Sequence, residues 1–267
     1  MRYPKGSLQL SESRDLPLLR QILRSEFITH TQLFEFMRLN HCERARKSFD
    51  WRLRRLVDRQ LVSRRATLNC TGEFVYFVGS NTGMLLQAGG EYCLIGRSRF
   101  AQKGTERGVL HSIGLNEIQL SALRRGLLVR WLSSVEVRSQ NELTRFGYAK
   151  DYDAIVTIRC KKGEETFGLE YERSPKTARY YRDVAAALNR ETNVHYVLYL
   201  AANYDLLQFV SGFFRHTRCR VFFGLVTDWH ADLLNMPIFS GLEVGCCPFQ
   251  EVFSEAHLNA EETRISR

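Results

Sequence analysis

The sequence predicts an α/β protein with two domains, and three observations support this prediction. Apolar residues recur at helical spacing in three successive segments before residue 60. Two short segments of alternating residues follow them at once, as the strands of a hairpin do. The second half of the chain then alternates strand-like and helix-like segments, a pattern typical of a mixed sheet with helices on its faces.

The length and composition are those of a globular protein. With 267 residues the chain can form two domains, and a hydrophobic content of 44% excludes a disordered chain. The sequence shows neither a signal peptide nor an apolar run near the roughly 20 residues that cross a bilayer, so we expect a cytoplasmic protein without a membrane partner. Its seven cysteines lack the spacing of a zinc site, and we expect them to be reduced.

Two helices are predicted before residue 40. The first runs from Asp15 to Arg24, with Ser13 available as its N-cap. The second is capped by Thr29 or Thr31, and the sequence leaves both caps open. The apolar positions of the two helices are Leu16, Leu19, Ile22, Leu23, Leu33, Phe34 and Met37.

A third helix is predicted from about Arg44 to Arg59. Its apolar stripe consists of Phe49, Leu53, Leu56 and Val57. At about 100° per residue, the opposite face carries Arg44, Lys47, Ser48, Trp51 and Arg55. The helix therefore presents a cationic face that includes a large aromatic side chain.

A hairpin is predicted directly after the third helix. Residues 61–68 alternate as a strand, residues 69–72 form a turn, and residues 74–78 return as a second strand. Three helices followed by a hairpin is the order of a winged helix-turn-helix, which we assign to residues 1–79.

Positive charge is concentrated in this N-terminal domain. Residues 1–79 hold 15 Lys and Arg against 8 Asp and Glu, whereas residues 80–267 hold 23 against 21. Nine cations lie between Arg44 and Arg65. Such a distribution indicates a nucleic-acid-binding domain, with a merely solvated face or a protein-binding face as the alternatives.

We expect the predicted third helix to enter the major groove of duplex DNA, where side chains near its start reach base edges. The candidates for base or groove contacts are Arg44, Lys47, Ser48 and Trp51. Other arginines flank that face or lie on the hairpin, which is the wing of this motif. These candidates for phosphate contacts are Arg52, Arg54, Arg55, Arg64 and Arg65. Packing of Trp51 on the second domain remains open.

The rest of the chain is predicted to comprise a connector (80–107), an α/β domain (108–254) and a polar tail (255–267). The α/β domain begins with a helix from about Leu110 that runs through Leu128. Its later segments are a strand at 153–158, a turn at 161–164, a strand at 166–171, a helix at 175–189, a strand at 194–200, a helix at 205–216 and a strand at 219–226.

Three acidic residues are predicted to converge in the second domain. If the hairpin folds about residues 161–163, Asp153 at the start of one strand lies opposite the end of the other, where Glu170 and Glu172 occur. Since side chains alternate along a strand, Glu170 and Glu172 point to the same face.

The order of these motifs resembles the replication-relaxation family of plasmids and mobile elements. The resemblance is carried by the helix-turn-helix that ends with residues 52–62 and by the segments 111–117, 152–155 and 169–173, and it touches most of the chain. The second half of that family resembles the PD-(D/E)XK nuclease fold, a restriction-endonuclease-like mixed sheet. The resemblance therefore implies a winged helix joined to a nuclease-like domain.

The resemblance also implies roles for single residues. The catalytic carboxylates of the nuclease pattern correspond to Glu117, Asp153 and Glu170, and Asp153 and Glu170 would hold Mg²⁺. The lysine position of the pattern holds Glu172 instead, and Tyr152 stands where the pattern has proline. Lys176, four residues beyond Glu172, is the candidate to supply the missing positive charge.

Three functions remain open at this point. The first is a non-catalytic DNA-binding protein that regulates transcription, replication or mobilisation of an element, acts as a homodimer and needs no cofactor. The second is a Mg²⁺-dependent DNA endonuclease that uses Glu117, Asp153 and Glu170, with Lys176. In the third, the second domain is a platform for another replication or transfer protein.

Overall fold

A computed structural model of the protein describes residues 9–67, 72–91, 105–161, 163–240 and 246–253. The chain divides into two compact units, Met1–Asn116 and Glu117–Arg267. Within the described ranges, no helix combines the length and apolar character needed to cross a membrane.

Some of the predicted features lie outside the described residues. These are the hairpin turn at 69–71, residues 92–104 of the connector, Lys162 in the second turn, the polar tail at 255–267, and the side chains of Cys70, Cys93 and His257.

The first unit combines helices with a three-stranded antiparallel sheet. Its elements are α1 (Asp15–Ser25), β1 (Ile28–Thr29), α2 (His30–Leu39), α3 (Arg46–Asp58), β2 (Val62–Ala66), β3 (Phe74–Val78), α4 (Thr82–Ala88) and the first part of α5 (Glu106–Arg124). The strand order is β1-β3-β2, so the short β1 between α1 and α2 pairs with the second strand of the hairpin.

The structure decides between the predicted caps. Thr29 caps α2, because its side chain accepts a hydrogen bond from the Gln32 amide while the Gln32 side chain reaches back to the amide of Thr29. Ser13 does not cap α1, whose N-cap is Arg14. The Asp15 carboxylate accepts instead from the amide of Ser11 at 2.8 Å, which fixes the entry of the chain into the helix.

The helix α5 begins earlier than the sequence indicates, and its first turns belong to the first unit. Val109 packs in a buried cluster with Phe27, Val75 and Phe77, and Ile113 packs against that cluster. The boundary between the two units therefore lies within α5, beyond the connector that the sequence predicts at residues 80–107. The connector itself contains the helix α4, which the sequence does not predict.

A buried ion-pair cluster joins α1 to α3. The Arg52 guanidinium donates to Asp15 Oδ1 at 2.7 Å and to Glu43 Oε2 at 3.2 Å, and Arg55 donates to Asp15 Oδ2. Burial alone would raise the pKa of Asp15, but the Ser11 amide and the two arginines outweigh it and hold the pKa below its ordinary value of 3.8. The rotation of α3 relative to α1 is thereby fixed.

The second unit is built on a seven-stranded mixed sheet in the order β10-β9-β8-β7-β6-β5-β4. The strands are β4 (Leu128–Ser133), β5 (Ala154–Cys160), β6 (Gly163–Glu172), β7 (Tyr196–Ala201), β8 (Arg220–Leu225), β9 (Pro237–Ser240) and β10 (Cys246–Pro248). The helices that follow α5 are α6 (Ser134–Leu143), α7 (Ala178–Leu188), α8 (Tyr204–Ser211) and α9 (Val226–Asp232). The pairs β6-β7 and β7-β8 are parallel, and the remaining pairs are antiparallel.

The sequence-based assignment missed β4 by extending the preceding helix through Leu128. In the structure α5 ends at Arg124, and Gly126 adopts a positive φ of 66°, a backbone conformation that turns the chain into β4. The helices α6 and α9 and the strands β9 and β10 were also missed, because each is short and lacks a clear period.

The ion-pair cluster yields a stability prediction. We expect Asp15→Asn to lower the free energy of unfolding by about 3 to 5 kcal/mol at pH 7, because it removes the charge that the buried Arg52 and the half-buried Arg55 share and leaves Arg52 with Glu43 alone. The folded-state pKa of Asp15 is depressed, so its contribution is present above 3.8 and is lost as the pH falls through the lower folded value. Urea unfolding at pH 7 and pH 3 measures both effects, with the exposed Asp58→Asn as control; a loss under about 1 kcal/mol at pH 7 contradicts the prediction.

Candidate functional site

The outward face of α3 carries three of the five residues that the sequence predicts there, and Arg54 in addition. Arg44, just before the helix, and Lys47, Trp51 and Arg54 are exposed, while Ser48 is half-buried. The Trp51 side chain is 58% exposed, although burial of so large an aromatic surface would be favourable. We call the exposed set Arg44, Lys47, Trp51 and Arg54 the α3 face.

Arg55 links the α3 face to the buried cluster. Its guanidinium lies over the Trp51 ring, with Cζ 5.1 Å from the ring centroid, and donates at the same time to Asp15. Arg55 therefore packs the exposed indole of Trp51 against the helix, and the buried carboxylate of Asp15 fixes the position of Arg55. Arg55 is half-buried and restrained by Asp15, which limits its reach as a phosphate-binding side chain.

The structure contradicts the expectation for Arg52. We expected this residue to contact phosphate, but it is only 8% exposed and forms the centre of the ion-pair cluster with Asp15 and Glu43. The sequence could not reveal this, because the partners lie 37 and 9 residues away in the chain. Arg52 supports the α3 face from beneath instead of belonging to it.

The two arginines of the hairpin differ in their surroundings. Arg64 is exposed, and its guanidinium carbon lies 4.5 Å from the centroid of the Phe74 ring across the sheet. Arg65 is half-buried, with its guanidinium carbon 5.1 Å from the Phe27 ring. Of the two, Arg64 is the better placed to meet a ligand from solvent.

The sequence-based selection overlooked Arg46 and His30. Arg46, the first residue of α3, is exposed, lies 5.0 Å over the Phe34 ring and contacts His30 Nδ1. Burial and then the charge of Arg46 lower the pKa of His30 below its ordinary value of 6.5. Arg46 adds a further cation beside the α3 face. The density of basic residues near Arg46 in the sequence is the signal that could have identified it.

In the second unit, the hairpin brings the predicted acids together. The register pairs Ala154 with Leu169, so Asp153, just before β5, lies beside Glu170 of β6. The Asp153 carboxylate accepts from the amide of Tyr171 at 2.8 Å. Both Glu170 and Glu172 are buried. The expected convergence of Asp153 with the end of β6 is confirmed.

Two lysines accompany these acids. Lys150 donates to Glu170 Oε1, and Lys176 donates to Glu172 Oε1 at 2.8 Å. The Lys150 side chain is 10% exposed and that of Lys176 is 32% exposed. We call the set Lys150, Asp153, Glu170, Glu172 and Lys176 the acid–lysine cluster. Lys150 was missed by the sequence analysis, because it precedes the strand on which the pattern is read.

The electrostatics of the cluster reflect its burial. Burial raises the pKa of Glu170 to about 7; the charge of Asp153 adds to this rise and that of Lys150 opposes it. Tyr199 on the neighbouring β7 stands opposite Glu170 in the register. Its hydroxyl is buried and, among the described residues, has no hydrogen-bond partner. Carboxylate oxygens and a phenol oxygen therefore lie together at this end of the sheet.

Glu117, the third expected carboxylate, has other neighbours. Arg124 Nη1 donates to Glu117 Oε1 at 2.6 Å. Burial lowers the pKa of His230, and the charge of Glu117 opposes this decrease. The contacts described above for the acid–lysine cluster join residues of β6 to the segments that precede β5 and α7, and Glu117 is not among them.

The cluster can be compared with the needs of Mg²⁺. Among the described residues, no group of three or more His, Cys, Asp or Glu side chains is arranged to hold a metal ion. Mg²⁺ is, however, commonly bound through one or two carboxylates, with water and substrate phosphate as the other ligands. Asp153 and Glu170 supply such a pair, and their mutual repulsion is what a cation would relieve. The residues present therefore fit this ion.

Compared with protein-family models, with curated proteins and with solved structures, the chain matches none of them. The resemblance to the replication-relaxation family thus depends on the motifs described above.

Proposed function

We propose that the first unit is a winged helix-turn-helix domain and that the protein binds duplex DNA through it. The element order α1-β1-α2-α3-β2-β3 and the sheet order β1-β3-β2 support the fold. The observation that carries the function is the α3 face, a cationic surface with an exposed tryptophan on the third helix.

In this proposal α3 enters the major groove. Arg44, Lys47 and Trp51, near its N-terminal end, reach base edges, while Arg54 and Arg64 contact phosphates. The ion-pair cluster beneath, centred on Asp15 and Arg52, sets the rotation of α3, so that this face is ready before DNA arrives. Pre-organisation of this kind lowers the entropic cost of binding.

The biological role that we propose follows the resemblance. The protein would regulate transcription, replication or mobilisation of a plasmid or other mobile element, in the cytoplasm and as a homodimer on a two-fold site. Dimeric binding would double the phosphate and base contacts made by one winged helix.

The α3 face is tested by charge reversal. We expect Lys47→Glu with Arg54→Glu to weaken duplex binding at least about tenfold, and to reduce the slope of log affinity against log salt by about 0.9 for each phosphate that the protein no longer neutralises. Fluorescence anisotropy with a labelled duplex between about 50 and 200 mM salt, the range in which phosphate-driven affinity falls steeply, gives both quantities.

A matched control has the same change of net charge at exposed arginines elsewhere in the first unit, Arg38→Glu with Arg107→Glu. The control is expected to stay within about twofold of the wild type, since these residues lie outside the α3 face. Equal losses of affinity for the two double variants would show that only net charge matters, and the proposal would then be wrong.

A second candidate function is supported by the acid–lysine cluster: a metal-dependent DNA endonuclease. The nuclease pattern has a lysine where this chain has Glu172. Two other lysines could replace it, because Lys150 contacts Glu170 and Lys176 contacts Glu172. Asp153 and Glu170 would hold Mg²⁺, which would activate water and stabilise charge on the phosphate. The lysines would hold the carboxylates in place and offset charge on the scissile phosphate.

This candidate predicts that supercoiled plasmid is nicked in the presence of Mg²⁺ or Mn²⁺ and that Asp153→Ala abolishes the nicking. Asp151→Ala is the matched control, because Asp151 lies two residues away, is exposed and bonds to Asn141. Gel analysis with both metals measures the effect. Absence of nicking by the wild type, or equal nicking by wild type and Asp153→Ala, would exclude the endonuclease and leave the DNA-binding function intact.

A further inference from the structure

Positive charge in the second unit is concentrated in one segment. Residues 117–267 hold 19 Lys and Arg and 19 Asp and Glu, so this part of the chain is neutral overall. The segment 173–190, which contains α7, nevertheless holds five cations and one acid. This local excess gives the unit a positive surface, and such a surface attracts anions.

The helix α7 presents these cations on one side. Its inward face is apolar, with Tyr181, Val184 and Leu188 buried in the core of the second unit. Its outward face carries a row of exposed arginines at helical spacing, Arg179, Arg182 and, just after the helix, Arg190. We call these three residues the α7 stripe.

The α7 stripe has little internal compensation. The one acid on the helix, Asp183, lies 3.9 Å from Arg179, but the two side chains are 73% and 88% exposed. A pair so exposed contributes almost nothing in water, because solvent and salt screen it. Arg179 can therefore exchange this contact for a stronger one, and phosphate is an anion that a guanidinium binds through two parallel hydrogen bonds.

The stripe begins beside the acid–lysine cluster. The strand β6 ends at Glu172, and Lys176, which bonds to Glu172, lies with its amine 4.5 Å from the ring centroid of Tyr180 in the first turn of α7. At about 1.5 Å per residue the stripe extends about 16 Å from Arg179 to Arg190. That length corresponds to about five nucleotides of one DNA strand, which rises about 3.4 Å per nucleotide.

We propose that the α7 stripe binds the phosphodiester backbone of DNA, as a contact site of the second unit that is separate from the α3 face. The occupant is identified by charge: a row of exposed arginines, in a unit whose remaining residues hold 14 Lys and Arg against 18 Asp and Glu, complements a polyanion with regularly spaced phosphates. This site goes beyond the proposed function, which assigns DNA binding to the first unit, and it does not require that the acid–lysine cluster cuts DNA.

The experiment measures the stripe in two backgrounds, the wild-type chain and the chain with Lys47→Glu and Arg54→Glu. Each background receives either Arg179→Glu with Arg182→Glu or the control pair Arg159→Glu with Lys161→Glu. The control residues are exposed and lie at the hairpin end of β5, which is the opposite end from Asp153. Both pairs change the net charge by the same amount, and far-ultraviolet circular dichroism verifies that each variant is folded.

Affinity for a fluorescein-labelled duplex of about 30 base pairs is then measured by anisotropy at about 50 mM salt, where phosphate contacts contribute strongly. The stripe variant is expected to bind at least about fivefold more weakly in both backgrounds, and the control to stay within about twofold. Equal affinities of stripe and control variants in both backgrounds would overturn the proposal. If the α3 face does not bind DNA, the variant with Lys47→Glu and Arg54→Glu alone keeps the affinity of the wild type, so the two proposals fail separately.

Discussion

The first unit depends on the buried contact between Asp15 and Arg52. A carboxylate with no exposed surface and a guanidinium at 8% exposure are costly to bury separately, and their mutual hydrogen bond, together with the contacts of Glu43, Arg55 and the Ser11 amide, makes the arrangement stable. The cluster specifies one rotation of α3 about its own axis. It is this rotation that turns Lys47 and Arg54 toward solvent and leaves Trp51 exposed.

The same cluster explains where sequence reasoning succeeded and failed in α3. Helical periodicity identified Phe49 and Leu53 as buried and Lys47 and Trp51 as outward, because hydrophobic burial follows local spacing. Periodicity could not identify Arg52 as buried, since its burial depends on acids contributed by α1 and by the segment before α3. Ion pairs between distant segments leave no local pattern in a single sequence.

The second unit shows a similar division. The alternation of residues predicted that Asp153 meets the end of β6, and the register confirms it because a hairpin fixes which residues stand opposite each other. The lysines were harder to assign: Lys176 was found by its distance along the chain from Glu172, whereas Lys150 precedes the strand and approaches Glu170 only in the folded sheet. The strand β4 escaped because a turn at Gly126 interrupts an apolar run that reads as one continuous helix.

Contact between DNA and the α3 face, which we propose, can be observed at Trp51. The chain has three tryptophans, so an indole ¹H–¹⁵N spectrum contains three signals, which Trp51→Phe, Trp131→Phe and Trp229→Phe assign. Trp229 is fully buried, with its indole nitrogen donating to the Ile118 carbonyl at 3.0 Å, and serves as an internal reference. On titration with a duplex, we expect the Trp51 signal to shift or broaden while the Trp229 signal stays in place. A Trp51 signal that is unchanged when the duplex is fully bound would contradict it.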